Sequence, residues 1–256
     1  MASFSIKECV IQPILDYRNK IDTGASIVFN FNHTGNIDSD DIKFIIDYSM
    51  MDDKHEELTI GELFKNISVI YNCETVALNT NIPYLFTLKH KITEKHEFYL
   101  SDFLPGYHFN IMNDYSSDNK LSIKLDRSFI NAKCNCIKIK YKCDEAKTTK
   151  NDLPHFNSQL DILGANTAIL HVDNLPLSIN KLIYLSNQTD NYKTERIDLI
   201  KNNIKYKYYH NDVKMKNNAS ILDFDYGFNM YKFKIPDEIK EKYNNIQLVC
   251  YYSYYV

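Results

Sequence analysis

A chain of 256 residues and 30.1 kDa with 44% apolar residues is long enough to bury one or two cores, which excludes a disordered or fibrous protein. Glycine occurs only at positions 24, 35, 61, 106, 164 and 227, spaced too widely for G-x-G-x-x-G, G-x-x-x-x-G-K-[ST] or G-x-S-x-G, so phosphate-cradling loops and the hydrolase nucleophile elbow are excluded. With 30 basic and 33 acidic residues the net charge is -3, and Arg stands only at 18, 127 and 196; sequence-specific nucleic-acid readout, which favours the guanidinium fork, is not indicated.

In chain order, the first twenty residues mix Lys7, Glu8 and Asp16 with short apolar runs and predict no secretory leader. No apolar run approaches the roughly 18 residues of a membrane span. Without a leader, the cysteines at 9, 73, 134, 136, 143 and 250 are expected to be reduced thiols. Sequons starting at Asn32, Asn66, Asn187 and Asn218 are expected by chance in an Asn-rich chain. Residues 26–31, 122–125, 137–143, 204–208 and 232–235 alternate apolar with polar at period two and are rich in β-branched and aromatic side chains, which predicts strands. Helix is a minority, with candidates at 62–66 and at 237–243 after Pro236.

The two halves also resemble each other. Residues 26–32 match 167–173, 43–46 match 181–184, 63–66 match 199–202, 107–111 match 226–230, 122–125 match 232–235, and 137–139 match 246–248. The order is preserved and the offset falls steadily. This predicts an all-β chain of two tandem antiparallel β-sandwiches, jelly-roll or Ig-like, arising by internal duplication: 1–148, with an insertion near 73–98, and 149–256. The join at 145–154 is polar, lacks periodicity and ends in Pro154.

No segment carries a chemical signature. Alternation puts Cys134 and Cys136 on the face of Lys138, Lys140 and Lys142, while Cys143 falls opposite with Ile137, Ile139 and Tyr141. The three thiols therefore do not converge on a metal. The eight His form no H-E-x-x-H, and the matched halves do not share them: His171 falls at Asn30, His108 at Gly227. The acidic runs 38–41 and 52–57 lack the Gly of a calcium loop and read as solvated loops. The span from Lys193 to Lys216 holds seven basic and three acidic residues, with Tyr206 and Tyr208 opposite Lys205 and Lys207, the pattern of a half-buried strand rather than a single-strand nucleic-acid platform. No catalytic residue, cofactor or metal is assigned.

The run 246–256 is apolar or aromatic on one face, largely so on the other, and carries no charged side chain. As an exposed edge it would invite aggregation, so it is expected to be covered, between the two domains or by a second subunit. Val249, Tyr251, Tyr252, Tyr254 and Tyr255 are the candidate interface residues.

Two tandem sandwiches of similar size resemble, by architecture and without a shared motif, the double jelly-roll viral coat proteins. The resemblance implies a non-enzymatic capsid or minor capsid component, in the virion or cytoplasm, that self-assembles through β-strand and aromatic surfaces. The alternative is a tandem β-sandwich binding protein that engages a host protein or glycan through loops or through the 73–98 segment.

Overall fold

The computed structural model describes residues 6–16, 26–50, 58–86, 89–117, 119–127, 137–145, 153–162, 167–171, 177–187, 194–198, 220–225, 230–234 and 246–254. It divides into two compact units, Met1–Pro154 and His155–Val256.

The first unit contains β1 (Ile6–Ile11), β2 (Ile14–Asp16), β3 (Ser26–Asn30), β4 (Gly35–Asp38), β5 (Lys43–Asp47), β6 (Leu58–Thr59), β7 (Phe64–Tyr71), β8 (Glu74–Asn79), β9 (Lys89–His90), β10 (Lys95–Tyr99), β11 (Asn110–Asn113), β12 (Leu121–Arg127) and β13 (Ile137–Asp144). Period-two alternation accounts for most of them. Ile137, Ile139, Tyr141 and Cys143 of β13 are buried with lysines between them, and Leu121, Ile123 and Leu125 of β12 are buried likewise.

One sheet runs β1-β13-β5-β10, with β4 continuing the β5 position beside β13 and β11 continuing the β10 position beyond it. The other runs β2-β3-β12-β7-β8. Taking β4 with β5, and β10 with β11, as single interrupted strands and setting aside β2 and the small β6·β9 ladder, the principal strands number eight. Their spatial order is first-eighth-third-sixth on one sheet and second-seventh-fourth-fifth on the other, which is the jelly roll. The sheets meet through aromatic rings: Phe29 of β3 packs on Phe44 of β5 at 6.2 Å, and Phe31 on Tyr141 of β13 at 4.6 Å.

The opposite face of the β1-β13-β5-β10 sheet is charged and paired across strands. Lys140 reaches Glu8 at 3.0 Å, Lys43 reaches Glu97 at 3.5 Å and Lys95 reaches Asp47 at 3.2 Å. Such exposed pairs add little stability but keep a two-sided sheet soluble on one side.

The 62–66 helix is corrected to a single turn, α1 (Ile60–Leu63), after which Phe64 begins β7. Thr59 and Glu62 form a capping box at its start, but the alternating Ile67, Val69 and Tyr71 that follow favour a strand. Gly61 is required there, because a Cβ would lie 2.5 Å from the backbone of Pro83. A second turn, α2 (Leu100–Phe103), follows β10. The 73–98 segment supplies β8, which pairs with β7, and most of β10, which pairs with β5. The expected helix at 237–243 and strand at 204–208 lie outside the described residues.

The second unit contains β14 (His155–Ile162), β15 (Thr167–His171), β16 (Leu177–Asn187), β17 (Thr194–Asp198), β18 (Ser220–Asp225), β19 (Met230–Lys234) and β20 (Ile246–Tyr254). Its ladders run β14-β20-β16-β17 and β15-β19-β18. The first repeats the course β1-β13-β5-β10, and the second that of β3-β12-β7.

Four of the matched sequence blocks fall on corresponding strands: β3 with β15, β5 with β16, β12 with β19, β13 with β20. Phe29 stands opposite Ile123; its counterpart Leu170 stands opposite Tyr231, two residues from the counterpart of Ile123. Ile46 stands opposite Ile137, and its counterpart Tyr184 opposite Leu248, again two residues away. A slip of two leaves the alternation of faces intact, whereas a slip of one would reverse it.

Candidate functional site

Between Ile11 and Ile14 the chain leaves the edge of one sheet of the first unit and joins the edge of the other, through Gln12 and Pro13. Where the two edges part, a groove of about 770 Å³ opens. Its floor is the buried Phe31 and Leu121, and Val10 and Ile14 form one apolar wall. The opposite lip is built from two turns, one carrying Cys73 and the other Tyr115. Asn72 and Cys73 both hold left-handed backbone, φ 53° and 65°, as a two-residue hairpin between β7 and β8 requires.

The Tyr115 turn is strongly determined. The Asp114 carboxylate accepts from the Ser116 amide at 3.0 Å and hydroxyl at 2.7 Å, and the Asp114 amide donates to the Asn119 carbonyl at 2.7 Å. Those Ser116 donors, with the Ser117 hydroxyl, hold the Asp114 carboxyl below its ordinary pKa. Just before it, the fully buried Asn113 donates to the carbonyls of His33 at 2.6 Å and Phe31 at 3.3 Å, and accepts from the Leu121 amide at 2.7 Å. One side chain thus joins the loop after β3, the end of β11 and the start of β12. No sequence signal distinguishes Asn113 from the other asparagines of this Asn-rich chain; only its position at the end of a strand, before an Asp-x-Ser turn, hints at it.

A second cluster lies at the other end of the unit. The rings of His90 and His96 are 4.2 Å apart, His90 stacks on Tyr48 at 5.4 Å, and Phe98 closes on His90 at 5.4 Å. Burial, and then the neighbouring His96, hold the His90 pKa below its ordinary value. In the interior, His33 lies 2.8 Å from the Tyr141 hydroxyl. Cys9 and Cys143 are buried nearby as free thiols, burial pushing the Cys143 thiol up to about 11. A thiol so displaced is a poor nucleophile.

The acidic run 38–41, expected to be a solvated loop, is instead a capped 3-10 turn whose carboxylates have partners. Asp38 accepts from the Asp40 amide at 2.9 Å, Asp40 meets His108 at 2.8 Å, and Asp41 takes Lys142 at 2.8 Å. Among the described residues no three His, Cys, Asp or Glu are disposed to hold a metal ion, and no helix is long and apolar enough to cross a membrane. Cys134, Cys136 and most of the 193–216 basic span lie outside the described residues, as does the acidic run 52–57.

The proposed interface strand is β20, and it is paired along both edges, by β14 and by β16. Val249, Tyr251 and Tyr252 are buried, so residues of both parities are covered within the chain. Tyr254 is half-buried and stacks on His155 at 5.3 Å; Tyr255 lies outside the described residues.

No protein-family model matches the chain, and no curated protein matches it. Among solved structures, it is similar to the major capsid protein P2 of bacteriophage PM2, with 10% identity and a TM-score of 0.43 over 98% of each chain. It is also similar to the PBCV-1 virus capsid in a quasi-atomic model, with 7% identity, a TM-score of 0.36, and coverage of 98% of this chain and 85% of that one. A third is PBCV-1 VP54 fitted into a reconstruction of the virophage Sputnik, with 6% identity, a TM-score of 0.35 and the same coverage. At such overlaps the jelly-roll assignment rests on the strand order itself.

Proposed function

We propose that the chain is a duplicated jelly-roll structural protein, a capsid or minor capsid component without enzymatic activity, that assembles with copies of itself. The observation that carries this reading is the recurrence, in consecutive units, of one strand order with matched sequence blocks on matched strands. A tandem sandwich built this way offers two similar bodies in one chain, which suits tiling of a shell by few interface types. β20 does not pair with a strand of another copy, because both its edges are occupied. Its half-buried end, at Tyr254, is the part of the aromatic strand available for a subunit contact. Sedimentation velocity and electron microscopy of the purified chain at rising concentration test the reading. Defined oligomers or shells are expected, weakened by Tyr254→Ala; a strict monomer at high concentration overturns it.

A binding role in addition to assembly is favoured by one specific observation, the groove beside Tyr115.

A further inference from the structure

We propose that the groove beside Tyr115 is a saccharide-binding site that prefers sugars carrying a carboxylate. The inference is independent of assembly and concerns the first unit alone.

Three features point to this ligand chemistry. First, Tyr115 is 54% exposed on a turn held by the Asp114 bonds, beside the exposed apolar wall of Val10 (51%) and Ile14 (57%). An aromatic ring presents a negative face, to which the polarised C–H groups on one side of a pyranose are drawn, and the turn that carries it need not be reordered on binding.

Second, the polar groups around the groove are side-chain amides and a hydroxyl: Gln12, Asn30, Asn32 and Ser122. Amides and hydroxyls both donate and accept hydrogen bonds, as do vicinal sugar hydroxyls, whereas a peptide extending a sheet needs an open backbone ladder. The floor offers none, so a peptide could pair only along the outer edges of β1 and β2. β3 is flanked by β2 and β12, and the Phe31 amide already donates to the Leu121 carbonyl at 3.1 Å.

Third, among the described residues no Asp, Glu or His lines the groove, and Lys120 is the one charged residue that does. Its ammonium lies over one face of the Tyr115 ring, 5.6 Å from the centroid, which leaves the other face to stack on a sugar with the cation close by. An exposed cation among otherwise neutral described lining residues favours an anionic substituent on the ligand through a charge-assisted hydrogen bond. A mixed apolar and amide lining with few charges is also the usual composition of a small-ligand cleft.

The test uses the full chain and four probes: 3′-sialyllactose, a hyaluronan tetrasaccharide, lactose and a pentaglutamate peptide, measured by calorimetry and saturation-transfer NMR. At least one of the two acidic sugars should saturate, binding about tenfold more tightly than lactose. Tyr115→Ala should abolish sugar binding. Lys120→Ala should erase the margin over lactose while leaving lactose binding in place. Both side chains are exposed, so the melting curves of both variants should match the parent; Asn32→Ala gives a second, weaker loss from the opposite side. Failure of both acidic sugars to saturate at millimolar concentration, unchanged binding in Tyr115→Ala, or tighter capture of the glutamate peptide than of either sugar would each overturn the proposal.

Discussion

The buried side chain of Asn113 donates to the main-chain carbonyl of His33 at 2.6 Å, tying the loop that leaves β3 to the end of β11. The same side chain receives the Leu121 amide. Asn113→Ala would leave the buried amide and two carbonyls without that partner, a cost of roughly 3 kcal/mol or more. Asn113→Asp would not rescue it, because a buried carboxylate would face those carbonyls. Urea unfolding should show a lower midpoint at constant slope for both variants; a loss under about 1 kcal/mol would mean that water replaces the side chain.

Gly35 lies at φ +148°, and a Cβ there would come 2.6 Å from the Cys143 sulfur and 2.9 Å from the Asp144 carbonyl oxygen. Those atoms belong to β13 in the middle of its sheet, and the carbonyl cannot swing aside. Gly35→Ala is expected to destabilise the unit by roughly 2 kcal/mol or more, combining backbone strain with overpacking. Thermal melting of the variant checks this, and a melting temperature within a degree of the parent would refute it.

The stability of the first unit should fall as the solution becomes acidic. His90 and His33 both have pKa values held below the ordinary 6.5, in each case chiefly by burial. The unfolded chain therefore binds protons more readily than the folded one. The stabilisation is complete above about pH 6.5 and is lost as the pH drops through the depressed folded values. His90→Phe should keep the ring packing against Tyr48 and flatten the pH dependence of the urea midpoint between pH 7 and pH 5, as histidine titration requires. An undiminished slope in that variant would show that the dependence comes from elsewhere.

β20 is the inner strand of its ladder, with Tyr251 fully buried. Tyr251→Ala should remove roughly 3 kcal/mol or more from the second unit through the cavity it leaves. Removing residues 249–256 should unfold that unit, not merely abolish assembly. Limited proteolysis is the readout: cleavage confined to residues after 154 is expected, and a protease-resistant second unit would contradict the placement.

Much of the strand content was legible beforehand, for a physical reason. A strand with one wet and one dry face must alternate, and 26–30, 121–127, 137–144 and 230–234 do so in the sequence itself. Four of the six matched blocks fall on strands that pair with one another in each unit. The helix at 62–66 was misjudged because a capping box marks where a helical turn starts but not how soon it stops; the β-branched residues that follow ended it after one turn. The groove was not legible at all. Val10, Phe31, Cys73, Tyr115 and Lys120 are scattered over more than a hundred positions, and none is unusual in its local context. Asn113 is likewise unremarked until its neighbours are known, because its hydrogen bonds go to backbone groups that every residue possesses.

The case of β20 shows where the division falls. Its composition, apolar on one face, largely so on the other and without charge, required that it be covered, since an exposed edge of that kind invites aggregation. Composition could not say by what, because an inner strand and an interface strand satisfy that requirement equally well. The pairing of β20 by β14 on one edge and β16 on the other is a property of long-range register, set by which strands can align their backbone ladders at once. Local periodicity thus determined that this protein is built of strands with one buried and one wet face. Only the tertiary structure decided which strands lie inside, which edges diverge into a groove, and which tyrosine faces solvent there, because those depend on contacts between residues that the chain keeps far apart.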